Sequence, residues 1–310
     1  MSDSPLVSVI VPIYNRAELA QQAIDSVLAQ TFTDYEIIVV DDGSTDQTRA
    51  VVTAYGEPVR YVYQANQDVS VARNHGMRLA RGRYIAFLDS DDRFHPEKLA
   101  LQVACLKANP DVVMVYTAYR FVRSDGMPIH TMPVRPTDDM LRQILFESDI
   151  ETTTVMLRTD VVRRVGEFDP RISLLQDMDY WARVALHGKI VGLPQPLVDE
   201  RLHGGNKPRD PDVFQHDWTL MLAKHFTPGH ELGWLFERRT YAHMHYMTGN
   251  FCLAWQPPQL IRAYRHWLRG LWRWPVDRLA AILGLRLLFR TVMPGPLQQW
   301  LRRFLRRIRQ

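Results

Sequence analysis

Residues 84–93 read YIAFLDSDDR. An apolar run from Tyr84 to Leu88 stops on three carboxylates within four positions, Asp89, Asp91 and Asp92. The run has the length and composition of a strand buried on both faces. The acids repel one another at that spacing and add little to a core. They read as a site that holds something just past a strand end.

Outward from this stretch the pattern recurs. VSVIVPIY (7–14) and EIIVV (36–40) are continuous apolar runs with β-branched residues, and the second closes on Asp41-Asp42-Gly43-Ser44. Val59 to Tyr63 and Asp111 to Phe121 read as further strands. Helices alternate with them. Residues 17–30 place Leu19, Ala23, Ile24, Val27 and Leu28 at helical spacing, and Thr45 or Asp46 caps a second helix. Ser70–Ala80 is a third, and Pro96 opens a fourth that runs to Lys107. This alternation predicts an α/β fold, a mostly parallel, Rossmann-like sheet flanked by helices. Ligands of such sheets bind beyond the carboxyl ends of the strands. Asp41-Asp42 and Asp89-Ser90-Asp91 both fall there, so two acidic clusters face one crevice. That crevice repels an anionic ligand unless a divalent cation lies between, and hard oxygen ligands suit Mg²⁺ or Mn²⁺.

The middle of the chain, about 124–205, reads less regularly. A turn is expected at Asp125-Gly126, helical stretches at 141–146, 161–165 and 177–187, and a loop at 203–208. Tyr180 and Trp181 read as core. The 310 residues are 46% apolar, enough for one large domain or two modest ones. Two cysteines, Cys105 and Cys252, imply no disulfide framework and fit a reducing cytoplasm. No signal peptide and no apolar run of transmembrane length are read.

Charge is distributed unevenly. Residues 259–310 hold twelve arginines, no lysine and one acid, Asp277, so their net charge is +11; the whole chain's +4 leaves −7 for residues 1–258. From Leu297 a helical stripe runs through Trp300, Leu301, Phe304, Leu305 and Ile308, with Arg302, Arg303, Arg306, Arg307 and Arg309 mainly off it. That is the pattern of an interfacial membrane helix. The expected organisation is a domain over 1–205, a helical connecting region over 206–258, and an Arg/Trp-rich amphipathic helical tail over 259–310.

The motifs narrow the chemistry. A dinucleotide fold wants a glycine-rich turn after the first strand, but Pro12-Ile-Tyr-Asn15 has no glycine, and no phosphate P-loop is present. An EF-hand starting at Asp89 needs Gly and Glu where Phe94 and Ala100 stand. What remains is VSVIVPIYNR, VVDDGSTDQT, VSVARNHG and FLDSDD in that order. This constellation resembles the family 2 glycosyltransferases, inverting and nucleotide-sugar dependent, with the GT-A fold. The resemblance covers roughly residues 6–205. Gly166-Glu-Phe-Asp169 looks like that family's G-G-F-D turn, and Gln176-Asp177-Met-Asp179-Tyr-Trp looks like its E-D-x-D-L-W helix start, with Gln in place of the first Glu.

The resemblance implies roles. Pro12, Tyr14 and Asn15 line a nucleotide pocket, Asp42 accepts from the base's ring N–H, and Arg73 offsets the diphosphate. Asp91 binds the metal and Asp89 holds the ribose or a metal-bound water, with Asp92 as an alternative for either. Asp177 is the catalytic base, and His203 completes the metal shell. Several have a plainer alternative: Asp42 as a turn residue, Asp91 or Asp92 as a helix cap, Arg73 as a helix-surface arginine, Asp177 as a first-turn acid on a helix dipole, His203 as a solvated loop histidine. The expected activity is inverting transfer of one sugar from a nucleotide-diphosphate sugar to a hydroxyl of a glycan or lipid-linked acceptor, in surface polysaccharide or glycoconjugate assembly. Expected with it are Mg²⁺ or Mn²⁺, an anionic membrane surface met through residues 259–310, and a cytoplasmic place on the inner face of the cell membrane. No nucleic-acid partner is expected. The rivals are a nucleotidyltransferase and a non-catalytic glycan- or nucleotide-binding relative.

Overall fold

The computed structural model describes residues 4–202, 210–255 and 257–292. His203, expected as a metal ligand, and the stripe at 297–308 lie outside the described residues. The chain divides into two compact units, residues 1–207 and 208–310.

The first unit is a sheet wrapped by helices. In chain order it runs β1 (Val7–Ile13), α1 (Ala17–Leu28), β2 (Tyr35–Asp42), α2 (Thr48–Thr53), β3 (Val59–Gln64), α3 (Val69–Leu79), β4 (Tyr84–Phe87), β5 (Arg93–Phe94), α4 (Lys98–Ala108), β6 (Val112–Val122), β7 (Pro128–Met132), α5 (Met140–Phe146), β8 (Met156–Arg158), α6 (Thr159–Val165), α7 (Gln176–Ala185) and β9 (Lys189–Arg201). The strand order is β3-β2-β1-β4-β8-β6-β9-β5, with β7 on the flank of β6. β1 pairs in parallel with β2 and β4, β2 with β3, and β6 with β9. β8 is antiparallel to both β4 and β6, and β5 and β7 are short antiparallel additions.

β1 explains its own sequence. All seven residues are buried, because strands flank it and helices cover both faces. α1 turns Ala20, Ala23, Ile24 and Val27 inward, the spacing of a helix with one core face. α3 packs close over β1 because Gly76 lets it: a Cβ there would sit 2.4 Å from Ile10 Cγ2. Gly43, φ +85°, turns the chain after β2 in a conformation that side chains avoid. The carboxyl ends of β1, β2 and β4 therefore come out side by side, at Ile13, Asp42 and Phe87.

The stretch from 124 to 205 holds more sheet than its sequence suggests. β7, β8 and β9 all lie there. β9 is thirteen residues long and carries Gly192, Pro194 and Pro196, which break the apolar pattern. The ladder to β6 shifts register between Thr117 and Ala118 to accommodate them.

The second unit is helical: α8 (Pro211–His225), α9 (Trp234–Ala254), α10 (Leu260–Arg273) and α11 (Arg278–Val292). Asp210 caps α8 by accepting from Asp212 N, with Pro211 at the first helical position. The core joins α9, α10 and α11 through Ala242, Tyr246, Leu253, Ala263, Leu283 and Leu287. Small residues set the approach. A Cβ on Gly270 would stand 2.3 Å from the Tyr246 ring, and one on Gly249 2.6 Å from Leu283. No helix among the described residues is long and apolar enough to cross a membrane.

Candidate donor site

A cavity of about 510 Å³ opens at the carboxyl ends of β1, β2 and β4. Pro12 and Tyr14 come from the end of β1, Asp42 from β2, Gln67 and Asp68 from the loop into α3, Arg73 from α3, and Asp89 and Asp91 from the turn after β4. Gln176, at the start of α7, closes one side.

The carboxylates divide by their partners. Asp42 is buried and organises the loop beside it. Its Oδ1 accepts from Gln64 Nε2 at 2.7 Å and Gln67 N at 3.0 Å, and its Oδ2 from Asp68 N at 3.1 Å. Asp41 is spent on Tyr61 and Ser44 N. Asp89 Oδ1 accepts from Arg73 Nη2 at 2.7 Å, and Asp91 Oδ2 from Arg16 Nη1 at 2.5 Å. Asp92, an alternative for either by sequence, is turned inward. Its Oδ2 accepts from Thr153 Oγ1 at 2.8 Å and its Oδ1 from Arg201 N at 3.2 Å. The Thr153 hydroxyl in turn accepts from Asp89 N, so Asp92 braces the turn that carries Asp89 and Asp91.

Asn15 stands apart from the other residues expected to line a nucleotide pocket. Its backbone has φ 49°, and its Oδ1 accepts from Thr45 N at 2.8 Å, so it ties the β1 loop to the β2 loop rather than lining the cavity. Arg73 is 3% exposed, and its Nε and Nη1 are buried without a hydrogen-bond partner. The neighbouring Asn74 locks α3 to the turn at 166–169: its Nδ2 donates to Phe168 O at 2.9 Å and its Oδ1 accepts from Phe168 N at 2.8 Å. Phe168 stacks on Tyr180 at 4.1 Å, and Tyr180 and Trp181 are fully buried.

Asp177 and Asp179 sit in the first turn of α7 with different roles. Asp179 is fully buried and accepts from Arg183 at 3.0 Å, a structural pair. Asp177 Oδ1 accepts from Met178 N at 2.7 Å. Burial holds its carboxyl above the usual range; Arg73 pulls it back and Asp89 pushes it up, so it feels both charges at the cavity. Gln176 Oε1 is buried without a partner.

Negative potential at this edge is strong. Burial first, then Asp89 and Asp91, raises Asp92 well above the carboxylate range. Burial, Glu151 and the three aspartates push Glu200, on β9, up to about 9. Among the described residues no group of three or more His, Cys, Asp or Glu is gathered to hold a metal. Asp89 and Asp91 instead face arginines. The sequence reading gives no role to Arg16 or Thr153, because their partners are 75 and 61 residues away.

The family model described as "Glycosyl transferase family 2" matches residues 8–166. The chain belongs to that family. It has the GT-A fold. It is 33% identical over 207 residues, 64% of this chain, to a glycosyltransferase of Rickettsia typhi, of which it covers 65%, just under two thirds. It is 34% identical over 207 residues to a Bacillus subtilis protein named "Putative teichuronic acid biosynthesis glycosyltransferase TuaG", covering 64% of this chain and 79% of that one. Among solved structures, the mannosyltransferase PcManGT of Pyrobaculum calidifontis, in complex with GDP-Man and Mn²⁺, superposes with a TM-score of 0.62. That likeness has 20% identity and covers 96% of this chain and 83% of that one.

Proposed function

We propose that this glycosyltransferase moves one sugar, with inversion, from a nucleotide-diphosphate sugar to a hydroxyl of a glycan or lipid-linked acceptor in surface polysaccharide or glycoconjugate assembly. The observation that carries the reading is Arg73: a buried guanidinium at the wall of the cavity, with two nitrogens uncommitted and one held by Asp89. A diphosphate supplies the acceptors those nitrogens lack.

The remaining residues divide the work. Tyr14, half exposed at the mouth, and Pro12 offer apolar surface to the base. Asp42 Oδ2, with a single donor of its own, accepts from the base's ring N–H. Asp89 holds the ribose or a metal-bound water. Asp91 and, beyond the described residues, His203 would hold Mg²⁺ or Mn²⁺. The donor set fits: hard carboxylate oxygens stand in a field negative enough to raise Asp92 and Glu200. When bound, the metal supplies Lewis-acid neutralisation of the leaving diphosphate. Asp177 takes the proton from the acceptor hydroxyl; its burial makes it a stronger base than a solvated aspartate. The +11 charge of residues 259–310 supports an anionic membrane surface as partner, and a peripheral place on the inner face of the cell membrane.

The test is calorimetric titration of a panel of nucleotide diphosphates, with and without Mn²⁺, on the protein and on Asp91→Ala. Binding of one nucleotide that needs both the metal and Asp91 is expected. Absence of any nucleotide binding overturns the donor site.

A further inference from the structure

α10 buries one side and leaves an apolar stripe on the other. Ala263, His266 and Gly270 face the core of the second unit. Opposite them, Ile261, Leu268 and Trp272 are 72%, 58% and 77% exposed. Their spacing puts them within about 40° of one another on the helix. α9 adds Trp234, 64% exposed. Arg238 lies between the two indoles, 5.9 Å from the Trp234 ring and 6.0 Å from the Trp272 ring. It also donates to the Trp272 and Arg273 carbonyls that end α10.

Beside the stripe is a cleft of about 460 Å³, lined by His245 of α9 and by Leu268, Arg269, Trp272 and Arg273 of α10. Arg273 is steadied by the Tyr241 ring, 5.0 Å away. α10 carries four arginines and no acid. Burial holds His245 neutral, with its proton affinity pushed down to about 3, so the arginines alone set the charge of the cleft.

We propose that this face docks on an anionic lipid bilayer, with the Arg269–Arg273 cleft taking a headgroup phosphate and Ile261, Leu268 and Trp272 entering the acyl boundary. This rests on the reading of residues 259–310 as membrane-facing and names the surface that does it. Three features select lipid over a protein partner. The face demands an apolar phase and an anion within one helix diameter, the depth relation of acyl chain to phosphate in a bilayer. Its cations are all arginine, whose planar fork matches phosphate. Its aromatic edge is tryptophan, the residue of the membrane–water boundary. Charge complementarity with anionic lipid follows from twelve arginines against one acid in 259–310.

The test is co-sedimentation of the full chain with vesicles of phosphatidylcholine alone and with about 30% phosphatidylglycerol, comparing the unaltered protein with Arg269→Gln, Trp272→Ser and Leu268→Ser. Nucleotide titration on each variant checks that the first unit is intact, and circular dichroism checks the second. The expected result is binding only to the anionic vesicles, weakened about fivefold by Arg269→Gln and about tenfold or more by Trp272→Ser. If the unaltered protein binds and all three variants bind equally, the proposed face is wrong while the membrane reading of 259–310 stands. If the unaltered protein binds no vesicle, both fail. Self-association abolished by Trp272→Ser, without vesicle binding, assigns the face to a second copy and overturns the proposal. Inorganic phosphate bound at Arg269 with unchanged vesicle affinity overturns it as well.

Discussion

The two units differ in the titratable groups that stand beside their candidate surfaces. In residues 1–207 three acids at or beside the site, Asp92, Asp177 and Glu200, are pushed up by desolvation and by neighbouring carboxylates, Asp89 among them in each case. In residues 208–310 histidines are buried, His243, His245 and His266 among them. Burial pushes His243, His245 and His266 down to about 4, 3 and 4, and the last two touch through Nδ1 atoms 3.3 Å apart. A concentrated negative field suits the proposed site for a cation and an anionic ligand. Neutral buried histidines belong to a packed helical support under an arginine-rich face. On the proposed reading, chemistry belongs to the first unit and docking to the second.

The largest effect is expected at Asp177. Asp177→Asn keeps the volume and removes the base, so kcat falls by about 10²–10⁴ while donor-nucleotide affinity is kept. A transfer assay beside a calorimetric titration reads both. Full activity in the variant would move the base elsewhere and leave Asp177 as a first-turn acid on α7.

Acidity should separate the units. Each of the three histidines has a folded proton affinity depressed below its unfolded value of about 6.5, so protons bind the unfolded chain first. Their stability contribution is whole above about pH 6.5 and is lost as pH falls toward about 4. The loss is about 3 kcal/mol per histidine, and less than additive for the touching pair. The raised carboxyls of the first unit run the other way: they are penalised as pH rises above about 4 and relieved on acidification. Seven of the eight tryptophans lie beyond residue 207, leaving Trp181 in the first unit. The denaturant midpoint read by tryptophan emission should therefore fall between pH 6.5 and 4. A flat midpoint would mean these histidines are not held neutral.

Next in size is Gly270→Ala. The added carbon would meet the Tyr246 ring at 2.3 Å, and that ring is fully buried with its hydroxyl donating to Trp274 O at 2.6 Å. Overpacking of this kind costs about 1–3 kcal/mol. Thermal unfolding should show it in the second unit, with nucleotide binding unchanged. Weakened nucleotide binding would show that the units do not divide the work.

What the sequence made legible follows the same division. β1, β2 and β4 were readable because strands buried on both faces are unbroken apolar runs, and the acids at their ends were readable because one turn or cap needs a single carboxylate, not three. β9 was hidden by Gly192, Pro194 and Pro196, which β6 accommodates by shifting register. Asp89, Asp91 and Asp92 are one residue type within four positions. Only Thr153 and the amide of Arg201, far along the chain, make Asp92 a brace and leave the other two facing arginines. α10 gave a basic, Trp-rich composition but not a facing direction. That came from Gly270 and Tyr246, which decide which side is buried.

The smallest effect tests what the arginines do at the site. Arg16 pairs with Asp91 at 2.5 Å, with the two side chains 33% and 19% exposed. A pair so open is worth about 0.5–1 kcal/mol. If a divalent cation and Arg16 compete for Asp91 Oδ2, Arg16→Gln should tighten Mn²⁺ binding in the absence of nucleotide by about two- to fivefold, the same energy expressed as affinity. Mn²⁺ titration followed by paramagnetic resonance reads this without any turnover. Equal affinity in the variant and the unaltered protein would mean the cation and Arg16 do not share Asp91, and would move the metal site away from that carboxylate. Tighter binding would make Arg16 a tethered cation that holds the acidic edge together until the metal arrives. It would also explain how a site this negative folds in the metal's absence.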